Sequence, residues 1–236
     1  MLNRLSPEIL LFGGTFDPPH YGHIKVIEEA RQLYPKSEIW VVPSYSPPPS
    51  NNVSKSPAAS WDLRLEMCRL AFGHIDNLLI SSVEKSMPSP NYTFQTLEHI
   101  SLETGKKLSF LMGMDQFVNF PRWNSFEKIL KVADILIHHR GGLSMGAFKE
   151  RDCDEDLDAA ELDKVVSMVF GDEFHLVDTD LFKNDLGQYL HFLRKSVSPA
   201  SSRLWRDDNE KYDCWISDKV RNFISENKLY PRKDEN

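Results

Sequence analysis

Apolar residues along the chain fall into short runs separated by longer amphipathic stretches. The runs at 9–12, 39–42, 78–80, 108–112, 135–137 and 174–177 have the length of buried strands. Between them, His23, Ile27, Ala30 and Tyr34 recur at helical spacing, as do Leu63, Met67, Leu70 and Ala71, and then Phe94, Leu97 and Ile100. The pattern predicts strands alternating with helices. Right-handed crossovers turn such alternation into a mostly parallel sheet with helices on both faces, a doubly wound α/β fold. Ligands of these sheets bind beyond the carboxyl ends of the strands, so chemistry is expected in the loops after Phe12, Val42, Met112 and Ile137.

The last third differs. An acidic stretch leads into a helix expected near 159–170, and Ile216, Val220, Phe223 and Ile224 line one face of a final helix. A single domain over 1–236 is expected, with 197–236 as either a C-terminal helical subdomain or a cover over the end of the same sheet. Pro47-Pro48-Pro49, Pro57 and many Ser and Asn mark 43–60 as a long loop.

Composition changes this picture little. With 236 residues, 41% apolar and 27% charged, the chain is ordinary globular material, long enough for one enlarged domain with a sizeable core. No window holds the roughly 18 consecutive apolar residues of a membrane span, and the N-terminal residues lack the apolar centre of a signal peptide. The expectation is a soluble cytoplasmic protein. Cys68, Cys153 and Cys214 are far apart and odd in number, which suggests neither a disulfide framework nor a thiolate metal site. The formal net charge is −7, and the segment 150–163, with eight acids against Arg151, accounts for it. That run reads as a solvated face. A neutral body with one acidic stretch is a poor surface for nucleic acid, and nothing points to a membrane partner.

Candidate chemistry follows the first apolar run directly, as Gly13-Gly14-Thr15-Phe16-Asp17-Pro18-Pro19-His20-Tyr21-Gly22-His23, with the helical pattern starting at its end. Paired glycines let the backbone turn tightly and approach a ligand closely, and a helix N-terminus offers free amide donors to phosphate. His20 and His23 would flank that phosphate and donate hydrogen bonds to charge growing on a phosphoryl oxygen. Taken alone, His-x-x-His is also read as a metal pair or as two capping histidines, although no nearby Cys or His completes a zinc site. Asp17 either fixes the loop by hydrogen bonds or touches substrate.

Four further segments complete a constellation: Asn91-Tyr92-Thr93-Phe94-Gln95-Thr96-Leu97, Leu111-Met112-Gly113-Met114-Asp115, Phe120-Pro121-Arg122-Trp123 and Ser201-Ser202-Arg203-Leu204-Trp205-Arg206, followed by the stretch 212–230. Over nearly the whole chain this resembles the nucleotidyltransferase superfamily with the H-x-G-H signature, and within it the bacterial nicotinate-nucleotide adenylyltransferases. The resemblance implies a Rossmann-like nucleotidyltransferase fold. It also implies a reaction in which the 5′-phosphate of nicotinate mononucleotide attacks the α-phosphorus of ATP, giving nicotinate adenine dinucleotide and pyrophosphate for NAD biosynthesis.

Carried onto this sequence, the resemblance makes His20, His23 and Arg206 the catalytic residues. ATP would meet these three and Gly13, Gly14, Thr15 and Phe16, with Gly113 and Asp115 at the ribose, Arg140 beside His139 on the base side, and Ser201 and Ser202 at phosphate. The mononucleotide would meet Gly14, Thr15 and Tyr92, with Trp123 against the pyridine ring and backbone amides near Thr93 and Asn124 receiving its carboxylate. Mg²⁺ would travel with ATP, held by phosphates and water rather than by protein ligands, and a homo-oligomer is compatible.

Two positions depart from that family's pattern. Pro47-Pro48-Pro49-Ser50 stands where the family usually follows two prolines with His and a basic residue, and Lys55 is a candidate replacement. Arg203 stands where the family has Thr, and there it would either add a bidentate phosphate contact or block the site. Two other readings stay open: an adenylyltransferase for nicotinamide mononucleotide or another phosphorylated acceptor such as phosphopantetheine, and a nucleotide-binding protein of the same fold without catalysis.

Overall fold

The computed structural model of the protein describes residues 6–48, 56–139, 157–193 and 199–231. Pro49, Ser50, Lys55, Arg140, Cys153 and the first half of the acidic stretch, 150–156, therefore lie outside the described residues. In chain order the elements are β1 (Ile9–Gly14), α1 (Tyr21–Leu33), β2 (Glu38–Pro43), α2 (Trp61–Phe72), β3 (Leu78–Ile80), α3 (Thr93–Thr104), β4 (Leu108–Gly113), α4 (Met114–Phe117), α5 (Phe126–Val132) and β5 (Ala133–His138). They continue with α6 (Ala159–Phe170), β6 (Phe174–Asp178), β7 (Leu181–Asn184), β8 (Tyr189–Phe192), α7 (Ser202–Asp207) and α8 (Asp218–Glu226). Short 3-10 turns occupy Val83–Ser86, Phe120–Arg122 and Asp213–Trp215.

The eight strands form one sheet in the order β3-β2-β1-β4-β5-β8-β7-β6. The first five pair in parallel, β8 joins β5 in parallel, and β7 runs antiparallel to both β8 and β6. The six apolar runs each became a strand. The hairpin of β7 and β8 is an addition to the expected set. It closes through Asn184, whose Nδ2 donates to Gln188 Oε1 at 2.6 Å, and through Gly187 at φ 83°.

Alternation along β1 shows why both faces are covered. Leu10 and Phe12 point into one cluster with Ile24, Ile27 and Ala30 of α1, Met67 and Phe72 of α2, and Val220 and Ile224 of α8. Ile9 and Leu11 point into the other, with Leu97 and Ile100 of α3, Ile129 of α5, and Leu162, Val165 and Phe170 of α6. A strand apolar on both faces needs helices on both, which is the doubly wound architecture. The final helix packs on α2 and shares the first cluster, with Trp205 and Ile216 beside it.

Strand β1 lies between β2 and β4, so the connections leave it in opposite directions and a crevice opens at its carboxyl end. The register sets Gly14 opposite Pro43 and Gly113 opposite His138 along that edge. Among the described residues, no helix is long and apolar enough to cross a membrane.

Candidate active site

The edge of the crevice is built first by the start of α1. His20 is its N-cap, in extended backbone with φ −142° and ψ 169°. Its N–H donates to His23 Nδ1 at 3.1 Å, and its carbonyl accepts the His23 N–H at 2.9 Å, so the two residues close the first turn on each other. The two imidazoles stack with centroids 3.6 Å apart and planes 19° from parallel. Gly22 permits this, because a Cβ there would lie 3.0 Å from ring atoms of His20. Accepting at Nδ1 leaves the proton of a neutral His23 on Nε2, as a donor on the opposite edge of the ring. Among the described residues, no group of three or more His, Cys, Asp or Glu could hold a metal ion.

The loop between β1 and α1 is held from behind. Phe16 sits at φ 49° with its ring over Gly14, where a Cβ would meet ring carbons at 3.0 to 3.3 Å. That ring is buried edge-on against Phe12, His23 and Phe72, so only the backbone of Phe16 can reach a nucleotide. Beneath the loop lies Arg64 of α2, 1% exposed. Its Nη1 donates to Thr15 O at 2.7 Å, its Nη2 to Ser44 O at 2.7 Å and its Nε to Ala59 O at 3.2 Å. Burial pulls its pKa down, and the neighbouring Asp17 charge opposes that shift.

Asp17, 3% exposed, fixes the loop by hydrogen bonds. Its carboxylate accepts the Ala58 N–H at 2.8 Å, the Ala59 N–H at 3.1 Å and the Tyr230 hydroxyl at 2.6 Å. Arg206 of α7 donates to the Asp17 carbonyl and lies 3.5 Å from its carboxylate. Ser202 Oγ donates to Pro18 O at 2.7 Å, and Ser201 is the N-cap residue of α7. The structure therefore brings Ser201, Ser202 and Arg206 onto the loop that carries Gly13, Gly14, Thr15, His20 and His23. Arg203 is directed elsewhere: its side chain is 84% exposed and faces Asp207 at 3.9 Å, so it does not fill the crevice.

Across the crevice, Gly113 ends β4, and a Cβ on it would lie 2.5 Å from Asp115 Oδ1. His138 is buried beside Gly113 and edge-on to Phe12, which also touches the His23 ring. Asp115 is half-buried in the first turn of α4. His139 follows β5 immediately, and its expected neighbour Arg140 is not among the described residues.

The third wall carries the residues expected to meet a second substrate. Trp123 is half-buried, edge-on to Phe110 and Phe120. Phe110 in turn stands 3.4 Å from where a Cβ on Gly13 would lie, so the tryptophan and the glycine loop share one wall. Asn124 is exposed, and Tyr92 and Thr93 open α3, with Tyr92 stacked on Phe94. Glu84 and Asn91 pin this helix start to the loop after β2. Glu84 Oε2 accepts the Tyr45 N–H at 2.9 Å and Oε1 accepts the Thr96 hydroxyl at 2.9 Å; Asn91 Oδ1 accepts the Ser46 N–H at 3.0 Å. Burial pushes the Glu84 carboxyl up, while the Tyr45 and Thr96 hydrogen bonds and the Arg64 charge oppose it.

Arg64 and Glu84 were not singled out from the sequence, and Asn91 and Tyr230 stood there only within the segments 91–97 and 212–230, without a role. The signal for Arg64 was present: Trp61, Arg64, Cys68 and Ala71 recur at helical spacing, and an arginine on that apolar face requires partners.

Residues 11–225 match the cytidylyltransferase-like family. The chain belongs to that family. Among curated relatives, a probable nicotinate-nucleotide adenylyltransferase of Acidithiobacillus ferrooxidans is 33% identical over 143 residues, 60% of this chain and 64% of the relative. One of Hahella chejuensis is 36% identical over 139 residues, 58% of this chain and 62% of the relative. The chain thus spans a little under two thirds of the length of these relatives. The nicotinic acid mononucleotide adenylyltransferase of Plasmodium falciparum, solved in complex with APC, is similar in fold with a TM-score of 0.62. That likeness covers 95% of this chain and 97% of the other at 18% identity. The Rossmann-like nucleotidyltransferase fold expected from the motifs is the one observed.

Proposed function

We propose that the protein transfers adenylate from ATP to nicotinate mononucleotide, releasing pyrophosphate and forming nicotinate adenine dinucleotide in NAD biosynthesis. The carrying observation is the stacked His20–His23 pair, capped onto the start of α1 at the carboxyl end of β1 beside Gly13 and Gly14. The relatives and the Plasmodium fold neighbour support the same acceptor by their names.

In this reading, an oxygen of the mononucleotide 5′-phosphate attacks the α-phosphorus of ATP. The new P–O bond forms in line with the bond to the bridging oxygen of pyrophosphate, which breaks as charge builds on the leaving group. The second pKa of a phosphate monoester is about 6, so the attacking oxygen is already ionised near neutrality and needs no general base. The protein aligns the reactants and stabilises charge. The Nε2 proton of His23, the neighbouring ring of His20 and the free amides of α1 are donors for phosphate oxygens. Arg206 adds a guanidinium at the same loop. Mg²⁺ would accompany ATP as part of the substrate, with no protein ligand assigned to it, and would supply positive charge to the leaving pyrophosphate. Trp123 offers an aromatic face to the pyridine ring, and the start of α3 at Thr93 offers amide donors to its carboxylate.

Two substitutions test the role of the pair. His20→Ala and His23→Ala should each lower turnover by about 100-fold, the scale of one transition-state donor, while calorimetric affinity for the mononucleotide changes by less than about threefold. Full turnover in both variants would contradict the assignment. His20→Asn, which keeps a capping side chain, separates loss of the cap from loss of the imidazole.

A further inference from the structure

The segment that follows α8 reaches the phosphate loop. After that helix the backbone turns back, with Leu229 N–H bonded to Ile224 O at 3.0 Å, and Lys228 and Tyr230 adopt φ of 51° and 53°. A non-glycine residue stays in that region only where surrounding contacts outweigh its cost. For Tyr230 those contacts are the edge-on ring of Trp205, 5.7 Å away, and the 2.6 Å hydrogen bond from its hydroxyl to Asp17 Oδ1, made across 213 residues of sequence. Burial first, then the Asp17 charge and this bond, hold the phenol far above the usual tyrosine range, so the hydroxyl stays a donor.

Asp17 is the point where the separate anchors converge. Its carboxylate ties the Gly13–Phe16 turn to Ala58 and Ala59, the residues just before α2, and it faces Arg206. Removing one donor from a buried carboxylate leaves that lone pair without a substitute and loosens whatever the remaining partners hold. In-line transfer is sensitive to displacements of the order of 1 Å in the groups that hold phosphate.

We propose that Tyr230 is a positioning residue, acting through Asp17 to latch the phosphate-binding loop and Arg206 in their working geometry, so that the site is complete only with the turn after α8 docked. This rests on the adenylyl-transfer reading for its effect on rate, but not for its effect on the loop.

Tyr230→Phe keeps the ring against Trp205 and deletes only the hydroxyl. The Tyr230→Phe variant of the whole chain should lose about tenfold in kcat while KM for the mononucleotide stays within about twofold and the melting temperature falls by no more than about 3 °C. The backbone amides of Ala58 and Ala59 should exchange with solvent severalfold faster than in the wild type. In an Asp17→Ala background, removing the hydroxyl should cost little further, because the acceptor through which it acts is gone. Unchanged exchange at Ala58 and Ala59, unchanged kcat, or an equal fold-loss in the Asp17→Ala background would each overturn the proposal. If the wild type transfers no adenylate to any acceptor, the functional reading falls, and the exchange comparison alone decides the latch.

Discussion

Arg64 illustrates what a single side chain does in this site. A guanidinium that is 1% exposed has lost its water, and three backbone carbonyls from two loops replace it. Thr15 O belongs to the loop between β1 and α1, and Ser44 O and Ala59 O stand at the two ends of the loop between β2 and α2, so one planar fork sets their mutual distances. An ammonium presents no such fork, and Arg64→Lys should therefore cost about 2–4 kcal/mol of folding stability in urea denaturation. A variant within about 0.5 kcal/mol of the wild type would show that the carbonyls find other donors. The histidines work differently. Their rings stack at the first turn of α1, held by the His20 N–H bond to His23 Nδ1 and by the absence of a Cβ on Gly22.

The elements were legible where apolar runs were unbroken. All six predicted runs became strands, and the helices around 23–34, 63–71, 94–100 and 159–170 formed close to their expected bounds. Strands β7 and β8 were not legible because Lys183, Asn184 and His191 interrupt runs of four residues, and their pairing depends on β5 offering an edge. Helices α4 and α5 are short, at 4 and 7 residues, too brief to show a period. The junction between the loop after β2 and α3 depends on Glu84, a buried acid in a polar stretch whose role only tertiary contact reveals. Its carboxyl pKa is raised by burial, so the native state binds its proton more tightly than the unfolded chain does. The corresponding stability is present below the unfolded pKa and is lost as pH rises through the folded one. In Glu84→Gln the carbonyl can accept from Tyr45 and the amide can donate to Thr96, with no charge to bury. Thermal melts between about pH 5 and pH 7.5 should therefore favour the Gln variant over the wild type increasingly toward the higher pH. A difference independent of pH would contradict this.

At the scale of the whole molecule, the sheet order brings the ends of β1 and β4 together and places the motifs around one crevice. The motifs themselves were legible because each is local: a glycine turn, a helix start, a tryptophan after a short loop. What fastens them was not, since Arg64 meets Thr15 across 49 residues and Tyr230 meets Asp17 across 213. Arg203, whose size at a threonine position suggested either a new contact or a blockage, lies in solvent on the outer side of α7. In the proposed reaction this crevice joins ATP to a pyridine mononucleotide bearing a carboxylate. Its most direct test is pyrophosphate release with ATP and Mg²⁺, comparing nicotinate mononucleotide, nicotinamide mononucleotide and phosphopantetheine at equal concentration. We expect release with nicotinate mononucleotide at a kcat/KM at least about tenfold above either alternative. Preference for another acceptor, or silence with all three while ATP still binds, would contradict it.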